Sequence, residues 1–422
     1  YWKENKVFEQ SVATPAGKEP VGEFVFLDGP PFANGLPHYG HAVASILKDV
    51  FPRYKTMKGF RVPRIWGWDC HGLPVENLIE KDLGLKVKKD IEEYGIEKFN
   101  EAARESVMRY AAEWRRIIPR LGRWVDMEND YKTMDPSFTE SVWWGFKGLY
   151  DKGLVSEGYK AMHLCPRCET TLANFEVNQG YKDIADVSVY VKFELADAPG
   201  TFIVAWTTTP WTLPGNVALA VGKEMEYVKV KHEGAYYIVA KERAADVFPS
   251  GAEIVEELLG AALLGLRYTP LYDYYEAAKL DNRENGWKVY DAPFVTLEDG
   301  TGVVHIAPGF GEDDMMLGRE KKLPFIQHVH MNGQMKDEVK DFAGLQVKPK
   351  DDHQSTDVLI IKNLAARGLL LAKKKITHSY PHCWRCDTPL LNYASRSWFV
   401  GVPKIKDELI RNNNQTEWVP SH

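Results

Sequence analysis

His163-Leu164-Cys165-Pro166-Arg167-Cys168 and His382-Cys383-Trp384-Arg385-Cys386 are the two stretches that decide how this chain folds. Each holds a Cys-x-x-Cys pair, and the pairs stand more than two hundred residues apart. Four thiolates grouped two and two are typical of a closed tetrahedral zinc site, with Zn–S bonds of about 2.3 Å. Such a site joins both ends of the intervening segment, so the sequence predicts a domain inserted into another domain. The alternative is a set of reduced thiols without metal.

The composition bounds the class of protein. A chain of 422 residues, 44% hydrophobic and 27% charged, is expected to form two or three globular domains with real cores. The net charge of −6 argues against binding nucleic acid by bulk electrostatics. Local basic runs, such as residues 53–64, could contact phosphates but are more often solvated faces.

The sequence also predicts the cellular compartment of the protein. No apolar run approaches the roughly 18 residues of a membrane span, residues 258–266 being the nearest, so no membrane partner is expected. Four of the five cysteines stand in metal-type pairs, which favours a reducing, cytoplasmic compartment over a disulfide framework. The fifth, Cys70, is expected to be a buried structural thiol. The chain starts at Tyr1 without a Met, so a lost leader stays open.

Hydrophobic periodicity predicts an α/β beginning. Residues 23–27 suggest a buried strand, residues 38–51 a helix and residues 61–66 a second strand, an order typical of a doubly wound fold. Helices are predicted to dominate from about 96 to 152. Beyond residue 181 the pattern becomes β-rich up to about 375, with strands predicted at 188–194, 201–206, 217–221, 227–230 and 236–240.

His38-Tyr39-Gly40-His41 lies where the first strand and its turn feed a helix. Free backbone N–H groups and the helix dipole favour an anion such as a triphosphate at this point. The two histidines share one face of the first helical turn and could donate hydrogen bonds to phosphates, while Gly40 leaves room for a nucleotide. By itself, the pattern is also compatible with chance or with a metal site.

Residues 30–41, Pro-Pro-Phe-Ala-Asn-Gly-Leu-Pro-His-Tyr-Gly-His, resemble the HIGH signature of class I aminoacyl-tRNA synthetases. Residues 67–76, Gly-Trp-Asp-Cys-His-Gly-Leu-Pro-Val-Glu, resemble the next motif in the isoleucyl branch. The resemblance extends over nearly the whole chain. It implies an α/β fold: the first half of a Rossmann-type catalytic domain (1–160), a first zinc knuckle (161–181), an inserted β-rich editing domain (182–375) and a second knuckle returning towards the catalytic domain (376–422).

The same resemblance implies a function and its residues. The chain would belong to a ligase that activates isoleucine with ATP and Mg²⁺, transfers it to tRNA(Ile) and hydrolyses mischarged valine, with structural Zn²⁺ and as a monomer. His38 and His41 would contact the ATP phosphates. Asp69 would hold the α-ammonium of the amino acid, and Gly29 and Pro30 would line its side-chain pocket. The alternative for Asp69 is a helix N-cap.

A second candidate site lies in the β-rich part. Thr207-Thr208-Thr209-Pro210-Trp211-Thr212 begins with three consecutive hydroxyls at a strand end, where they could orient a water or a terminal ribose. The alternative is a threonine-rich strand. With residues 300–314 this stretch resembles the editing site of isoleucyl and valyl synthetases. Asp314 would then hold the α-ammonium of a mischarged ester. The residues that would shape the pocket and position the hydrolytic water are Thr207, Thr208, Thr209, Asn216 and His305.

Purely structural roles are the alternatives at this second site: His305 could be a core histidine, and residues 312–314 could be an acidic helix start. A second site makes chemical sense, because a hydrophobic pocket rejects the smaller valine by only about 1–3 kcal/mol, a limit for which the isoleucyl enzyme is itself the standard example.

The KMSKS signature that would complete activation does not occur in the chain, so a fragment that edits but does not activate efficiently is expected. Three alternatives stay open. They are a valyl synthetase, which Cys70-His71 and Thr209 disfavour, a free-standing hydrolase of mischarged tRNA, and a zinc-scaffolded nucleic-acid-binding module without catalysis.

Overall fold

The computed structural model describes residues 1–13, 19–32, 34–416 and 418, so Ala33 of the quoted motif and residues 419–422 lie outside the described part. The chain divides into two compact units, Tyr1–Ser156 with Val400–His422, and Glu157–Phe399. Because both borders of the second unit fall within the span of the first, the second unit is an insertion, as the paired cysteines predict. The finer borders at 161–181, 182–375 and 376–422 stay predictions.

The helices follow one another in chain order as α1 Val7–Val12, α2 Tyr39–Met57, α3 Leu73–Leu83, α4 Lys88–Tyr94, α5 Ile96–Val107, α6 Ala111–Arg120, α7 Pro136–Asp151, α8 Asn174–Val177, α9 Ala244–Val247, α10 Glu312–Glu320, α11 Ser355–Ala366 and α12 Lys406–Asn413. The strands are β1 Ile65–Trp68, β2 Asp126–Lys132, β3 Val155–Cys165, β4 Thr170–Leu172, β5 Tyr181–Glu194, β6 Thr201–Thr207, β7 Ala218–Val221, β8 Glu226–His232, β9 Ala235–Ala240, β10 Glu253–Leu259, β11 Lys288–Asp291, β12 Val303–Ile306, β13 Leu370–Pro381 and β14 Leu391–Val400.

The first unit surrounds a short parallel pair, β1 with β2. Its core is aromatic: the rings of Trp66, Trp68 and Trp114 lie 5.4 to 6.1 Å apart and are buried almost completely. The predicted helix is present as α2, and it continues through Pro52 to Met57 although proline lacks the N–H for an internal helical bond.

The predicted buried strand at 23–27 is wrong in extent and in burial, since Val25 and Leu27 are 73% and 89% exposed. Only Glu23 forms a bridge, parallel to Arg61, with two flanking backbone hydrogen bonds. Pro63, two residues after Arg61, has no N–H to continue this ladder. The helical stretch predicted from 96 to 152 is likewise interrupted, because residues 126–132 pair with β1 as strand β2.

The inserted unit is built on a mixed nine-stranded sheet in the order β10-β8-β9-β6-β12-β7-β11, in which β5 joins β6 and β13 joins β5. Strands β6, β7 and β12 are buried on both faces of this sheet, which explains their nearly continuous apolar sequence. A smaller sheet has the order β14-β3-β4. No helix among the described residues is long and apolar enough to cross a membrane.

We predict that Gly180→Ala destabilises the inserted unit. A Cβ at Gly180 would lie 1.9 Å from the backbone oxygen of His382, and the Gly180 carbonyl accepts a hydrogen bond from the His382 N–H at 2.8 Å. The backbone at the second cysteine pair must therefore move, at a cost of about 1–3 kcal/mol. Calorimetry should show a lower Tm for the inserted unit.

The matched control is Gly145→Ala in α7, where nothing lies within 4 Å of the added Cβ. Helix propensity favours alanine there by up to about 1 kcal/mol, so this variant should be neutral or more stable. Equal Tm values for both variants would contradict the prediction.

Candidate functional sites

The first candidate site is a cavity of about 260 Å³ in the first unit, lined among others by Gly29, Pro30 and His41. Trp66 and Trp114 form its apolar side. The structure thus brings together three of the residues predicted for activation. A proline ring, a glycine backbone and two indoles provide a small apolar surface of the kind that suits an aliphatic side chain.

The two histidines sit at the start of α2 with defined hydrogen bonds. The Gly40 N–H donates to Nδ1 of His38 at 3.1 Å, and the His38 N–H donates to Nδ1 of His41 at 3.2 Å. Because both Nδ1 atoms accept, the Nε2 atoms carry the protons of the neutral rings. Burial, followed by the nearby His38 and Lys48, lowers the pKa of His41. Both rings therefore present Nε2–H donors at the N-terminus of α2, where the helix dipole also favours an anion.

Two cations at this cavity were not predicted from the sequence. Lys48 donates to the Gly29 carbonyl at 3.0 Å and forms an ion pair with Asp28. Arg123 also pairs with Asp28 and lies over the Trp66 ring at 4.9 Å. Lys48 follows His41 by two helical turns, so it shares the same helix face, and this spacing was the available signal. Arg123 comes from the segment before β2, which nothing in the local sequence links to the site.

Asp69 lies beside this cavity without lining it. Its N–H donates to the Pro31 carbonyl at 2.9 Å, and Thr133 Oγ1 lies 3.4 Å from its carboxylate. The side chain is half-buried. Helix α3 begins at Leu73 with Gly72 as its N-cap, so Asp69 is not a cap and the alternative for this residue is excluded.

The second candidate site is a chain of hydroxyls in the inserted unit. Strand β6 ends at Thr207, whose Oγ1 lies 3.2 Å from Thr209 Oγ1 and accepts from the Thr209 N–H at 3.1 Å. A 3-10 helix, Pro210–Gly215, follows at once and brings Thr212 Oγ1 within 3.3 Å of Thr209 Oγ1. Thr212 was not among the predicted site residues, although it stands in the quoted motif.

His305, in strand β12, is the last member of this row of hydrogen-bonded side chains. Its Nε2 lies 2.9 Å from Thr212 Oγ1. Because that hydroxyl donates its proton to the Thr209 carbonyl at 2.8 Å, Nε2 must carry the ring proton. Burial lowers the pKa of His305 to about 4, so the ring is neutral at pH 7. Its Nδ1 is a buried acceptor without a partner among the described residues.

Asp314 lies in the first turn of α10, next to the strand that carries His305. Its Oδ1 accepts from the Ala307 N–H at 2.7 Å, and burial raises the pKa of its carboxyl to about 6. A Cβ on Gly311 would approach Asp314 Oδ2 to 2.2 Å, so glycine leaves room for the carboxylate. The side chain is half-buried.

The last two predicted residues differ in their surroundings. Asn216 is buried, donates to the Ala218 carbonyl at 2.9 Å and accepts from the Tyr268 hydroxyl at 2.7 Å, so both ends of its amide are engaged. These two bonds hold the amide in one orientation, and its second N–H and second oxygen lone pair stay available in principle. Thr208 is half-buried beside Thr207 and Thr209.

The strand register explains why the four cysteines meet. Strands β3 and β4 form a hairpin with Cys165 and Cys168 at its turn. Strand β13 pairs antiparallel with β5 until Pro381 faces Tyr181, which delivers Cys383 and Cys386 beside the same hairpin. The ligand atoms of all four residues lie within 4.8 Å of one another.

The geometry of this cluster fits a tetrahedral metal ion. The Cys386 sulfur lies 3.4 Å from that of Cys165 and 3.7 Å from that of Cys168, close to the ~3.8 Å edge of a tetrahedron with 2.3 Å metal–sulfur bonds. Hydrogen bonds among the four thiols lower the pKa of Cys383 and Cys386 and raise the pKa of Cys165 and Cys168. The cluster can therefore hold a thiophilic ion and leaves no coordination position open.

Comparison with known proteins gives a consistent result. The model of the tRNA synthetases class I (I, L, M and V) matches residues 1–422. The chain is 49% identical over 454 residues to isoleucine–tRNA ligase of Treponema denticola, which covers all of the chain and 40% of that protein. It is 47% identical over 423 residues to isoleucine–tRNA ligase 2 of Pseudomonas fluorescens, again all of the chain and 40% of the relative. The chain thus spans about two fifths of the length of these curated relatives.

Among solved structures, the chain is similar to a LeuRS of Agrobacterium radiobacter K84 in a ternary complex with tRNA and LeuAMS. The TM-score is 0.32 and the identity 18%, over 90% of this chain and 49% of that chain.

Proposed function

Because the chain belongs to the class I tRNA synthetases of the isoleucine, leucine, methionine and valine group, we propose that it is the part of an isoleucine–tRNA ligase that contains the ATP-binding helix and the editing domain. In this proposal the whole protein joins isoleucine to tRNA(Ile) with ATP and Mg²⁺, and the inserted unit hydrolyses mischarged Val-tRNA(Ile). The protein acts as a monomer in the cytoplasm.

The observation that carries the proposal is the pairing of two sites on one chain. The His38 and His41 donors with Lys48 are suited to phosphates. The Thr209–Thr212–His305 chain is suited to a hydrolytic water, and Asp314, which accepts from the Ala307 N–H two residues after His305, is suited to an ammonium group. The identity of 49% to an isoleucine–tRNA ligase favours isoleucine over valine as the substrate. It also favours a ligase over a free-standing hydrolase.

Each site residue has a proposed part. At the first site, His38 and His41 donate to the ATP phosphates, Gly29 and Pro30 line the pocket for the aliphatic side chain, and Asp69 holds the α-ammonium. At the second site, Asp314 holds the ammonium of the mischarged ester, while Thr207, Thr208, Thr209, Asn216 and His305 shape the pocket and orient the attacking water. An aminoacyl ester is already activated, so water attack needs no covalent nucleophile.

The metal of the cysteine cluster is structural zinc in this proposal. Four sulfur donors at tetrahedral spacing select a thiophilic ion, and a closed donor set supplies folding free energy but no chemistry.

The test compares two esters. The protein is incubated with Val-tRNA(Ile) and, separately, with Ile-tRNA(Ile), and the release of amino acid is followed. We expect rapid loss of valine and retention of isoleucine. Loss of both esters at equal rates, or of neither, would contradict the editing role. The ligase role is tested separately, by isoleucine-dependent ATP–pyrophosphate exchange with the full-length protein, in which valine should support exchange less efficiently.

The pH dependence of editing follows from Asp314. Its pKa is raised to about 6, so the carboxylate that binds an ammonium is present above pH 6 and is lost as the pH falls. We therefore expect the KM for Val-tRNA(Ile) to rise below pH 6, by up to about tenfold per pH unit. Steady-state hydrolysis between pH 5 and 7.5 measures this. The slope should persist in Asp313→Asn but lie at slightly lower pH, because the charge of Asp313 contributes to the raised pKa of Asp314. A flat KM in the wild type would overturn the assignment.

A further inference from the structure

A fully buried ion triad lies in the inserted unit, formed by Asp186, Lys348 and Asp357. The Lys348 ammonium lies 2.8 Å from an Asp186 oxygen and 2.9 Å from an Asp357 oxygen. None of the three side chains is more than 1% exposed. Asp186 belongs to β5, and Asp357 belongs to the first turn of α11.

Burying the three charges of this triad costs desolvation free energy. Two carboxylates share one ammonium, and His378 Nε2 lies 3.5 Å from Asp186 at the half-buried edge. Burial by itself would lower the pKa of Lys348, but the carboxylates of Asp357 and Asp186 raise it above its usual value, so the lysine is charged. Because desolvating such a group costs about as much as its pairing returns, stability alone is a weak reason for its presence.

The other carboxylate oxygen of Asp357 bonds to the turn that carries the Thr209 and Thr212 hydroxyls. Asp357 Oδ1 accepts from the Trp211 N–H at 3.0 Å, and His328 Nε2 lies 2.9 Å from the Trp211 carbonyl. Buried side chains therefore hold the Trp211 peptide groups on both sides. Trp211 stands between Thr209 and Thr212, whose hydroxyls lie 3.3 Å apart.

The Trp211 N–H, which donates to Asp357, has no acceptor within the turn itself. Trp211 is the second residue of the short 3-10 helix, where the first N–H groups have no acceptor within the helix. The next N–H, that of Thr212, already donates to the Thr209 carbonyl at 3.0 Å. Without the Asp357 oxygen, the turn would keep a buried unpaired donor and would be free to shift Thr212 away from His305.

We propose that Asp357, held in place by Lys348, is a positioning residue that fixes the Thr209–Thr212 turn and thereby the hydroxyl chain that ends at His305. This inference rests on the proposed editing function. Asp357 does not touch the ester or the water. It acts through the Trp211 peptide, and its loss lowers the rate of hydrolysis rather than the affinity for the ester.

The experiment separates the hydrogen bond from the charge. Asp357→Asn and Asp357→Leu both remove the charge at nearly constant size, but only asparagine keeps an acceptor for the Trp211 N–H. Asp186→Asn and Asp186→Leu are the matched controls, because Asp186 binds the same ammonium and does not contact Trp211. The readouts are kcat and KM for Val-tRNA(Ile), the Tm, and hydrogen exchange of the Trp211 amide.

We expect Asp357→Leu to lower kcat at least tenfold with KM unchanged within twofold, and to accelerate Trp211 exchange at least tenfold. Asp357→Asn and both Asp186 variants should keep kcat within threefold, whatever their Tm. Equal losses of kcat in Asp357→Leu and Asp186→Leu, or in the two Asp357 variants, would overturn the proposal. If the wild-type protein fails to hydrolyse the ester, the proposed function falls, and the amide exchange still decides this inference: unchanged exchange in Asp357→Leu refutes it.

Discussion

Replacing Cys386 with serine is expected to remove the bound metal and to unfold the region where the two cysteine pairs meet. Cys386 lies within 3.7 Å of the sulfurs of both Cys165 and Cys168, so its loss opens the donor set between the two knuckles. Structural zinc contributes an apparent binding free energy of about 10–16 kcal/mol in small zinc domains. A whole domain is stable by only about 5–15 kcal/mol. Even a part of the metal's contribution therefore decides whether this region folds.

The measurement is zinc content per chain together with calorimetric unfolding. We expect one zinc per chain in the wild type, none in Cys386→Ser, and loss of the transition of the inserted unit. Cys70→Ser is the matched control, because Cys70 is also a buried thiol but lies outside the cluster, with its sulfur 3.4 Å from the Trp68 carbonyl. Full zinc content in Cys386→Ser would refute the assignment of this ligand.

Replacing Asp314 with alanine is expected to reduce hydrolysis of Val-tRNA(Ile) at least 100-fold. The half-buried carboxylate is the proposed partner of the ammonium of the ester, and truncating one partner of a charge pair in a binding site costs about 2–5 kcal/mol. A 100-fold loss corresponds to about 2.7 kcal/mol. The loss should appear in kcat/KM. The first site should be unaffected, so isoleucine-dependent pyrophosphate exchange by the full-length protein should stay unchanged.

Asp313→Ala is the control for this second variant. Asp313 is the adjacent residue, carries the same charge in the same helical turn and is exposed, so a general field effect of the acidic helix start would change both variants alike. We expect Asp313→Ala to retain hydrolysis within threefold of the wild type. A comparable loss in both variants would mean that the acidic helix start, rather than a bound carboxylate, is responsible.

Much of the architecture could be predicted because its signals are local. The α/β class, the inserted β-rich unit and the class I synthetase fold are confirmed. The strands predicted at 201–206 and 236–240 correspond to Thr201–Thr207 and Ala235–Ala240. Strand β2 was missed because Asp126–Lys132 is polar and becomes a strand only through its pairing with β1. The roles of the predicted site residues stay predictions until the variants are measured.

By itself, the sequence determined which side chains are the candidates for chemistry: the histidines at the start of α2, the threonines at and after the end of β6, Asp314 and the four cysteines. These stand in short motifs whose spacing and turn residues act over a few positions. Only the tertiary structure decided which distant groups support them. Lys48 and Arg123 share the partner Asp28, and Asp357 reaches Trp211 from more than a hundred residues away. The physical reason is that a buried charge is tolerated only where separate segments supply its partner, and no local pattern of residues records that pairing.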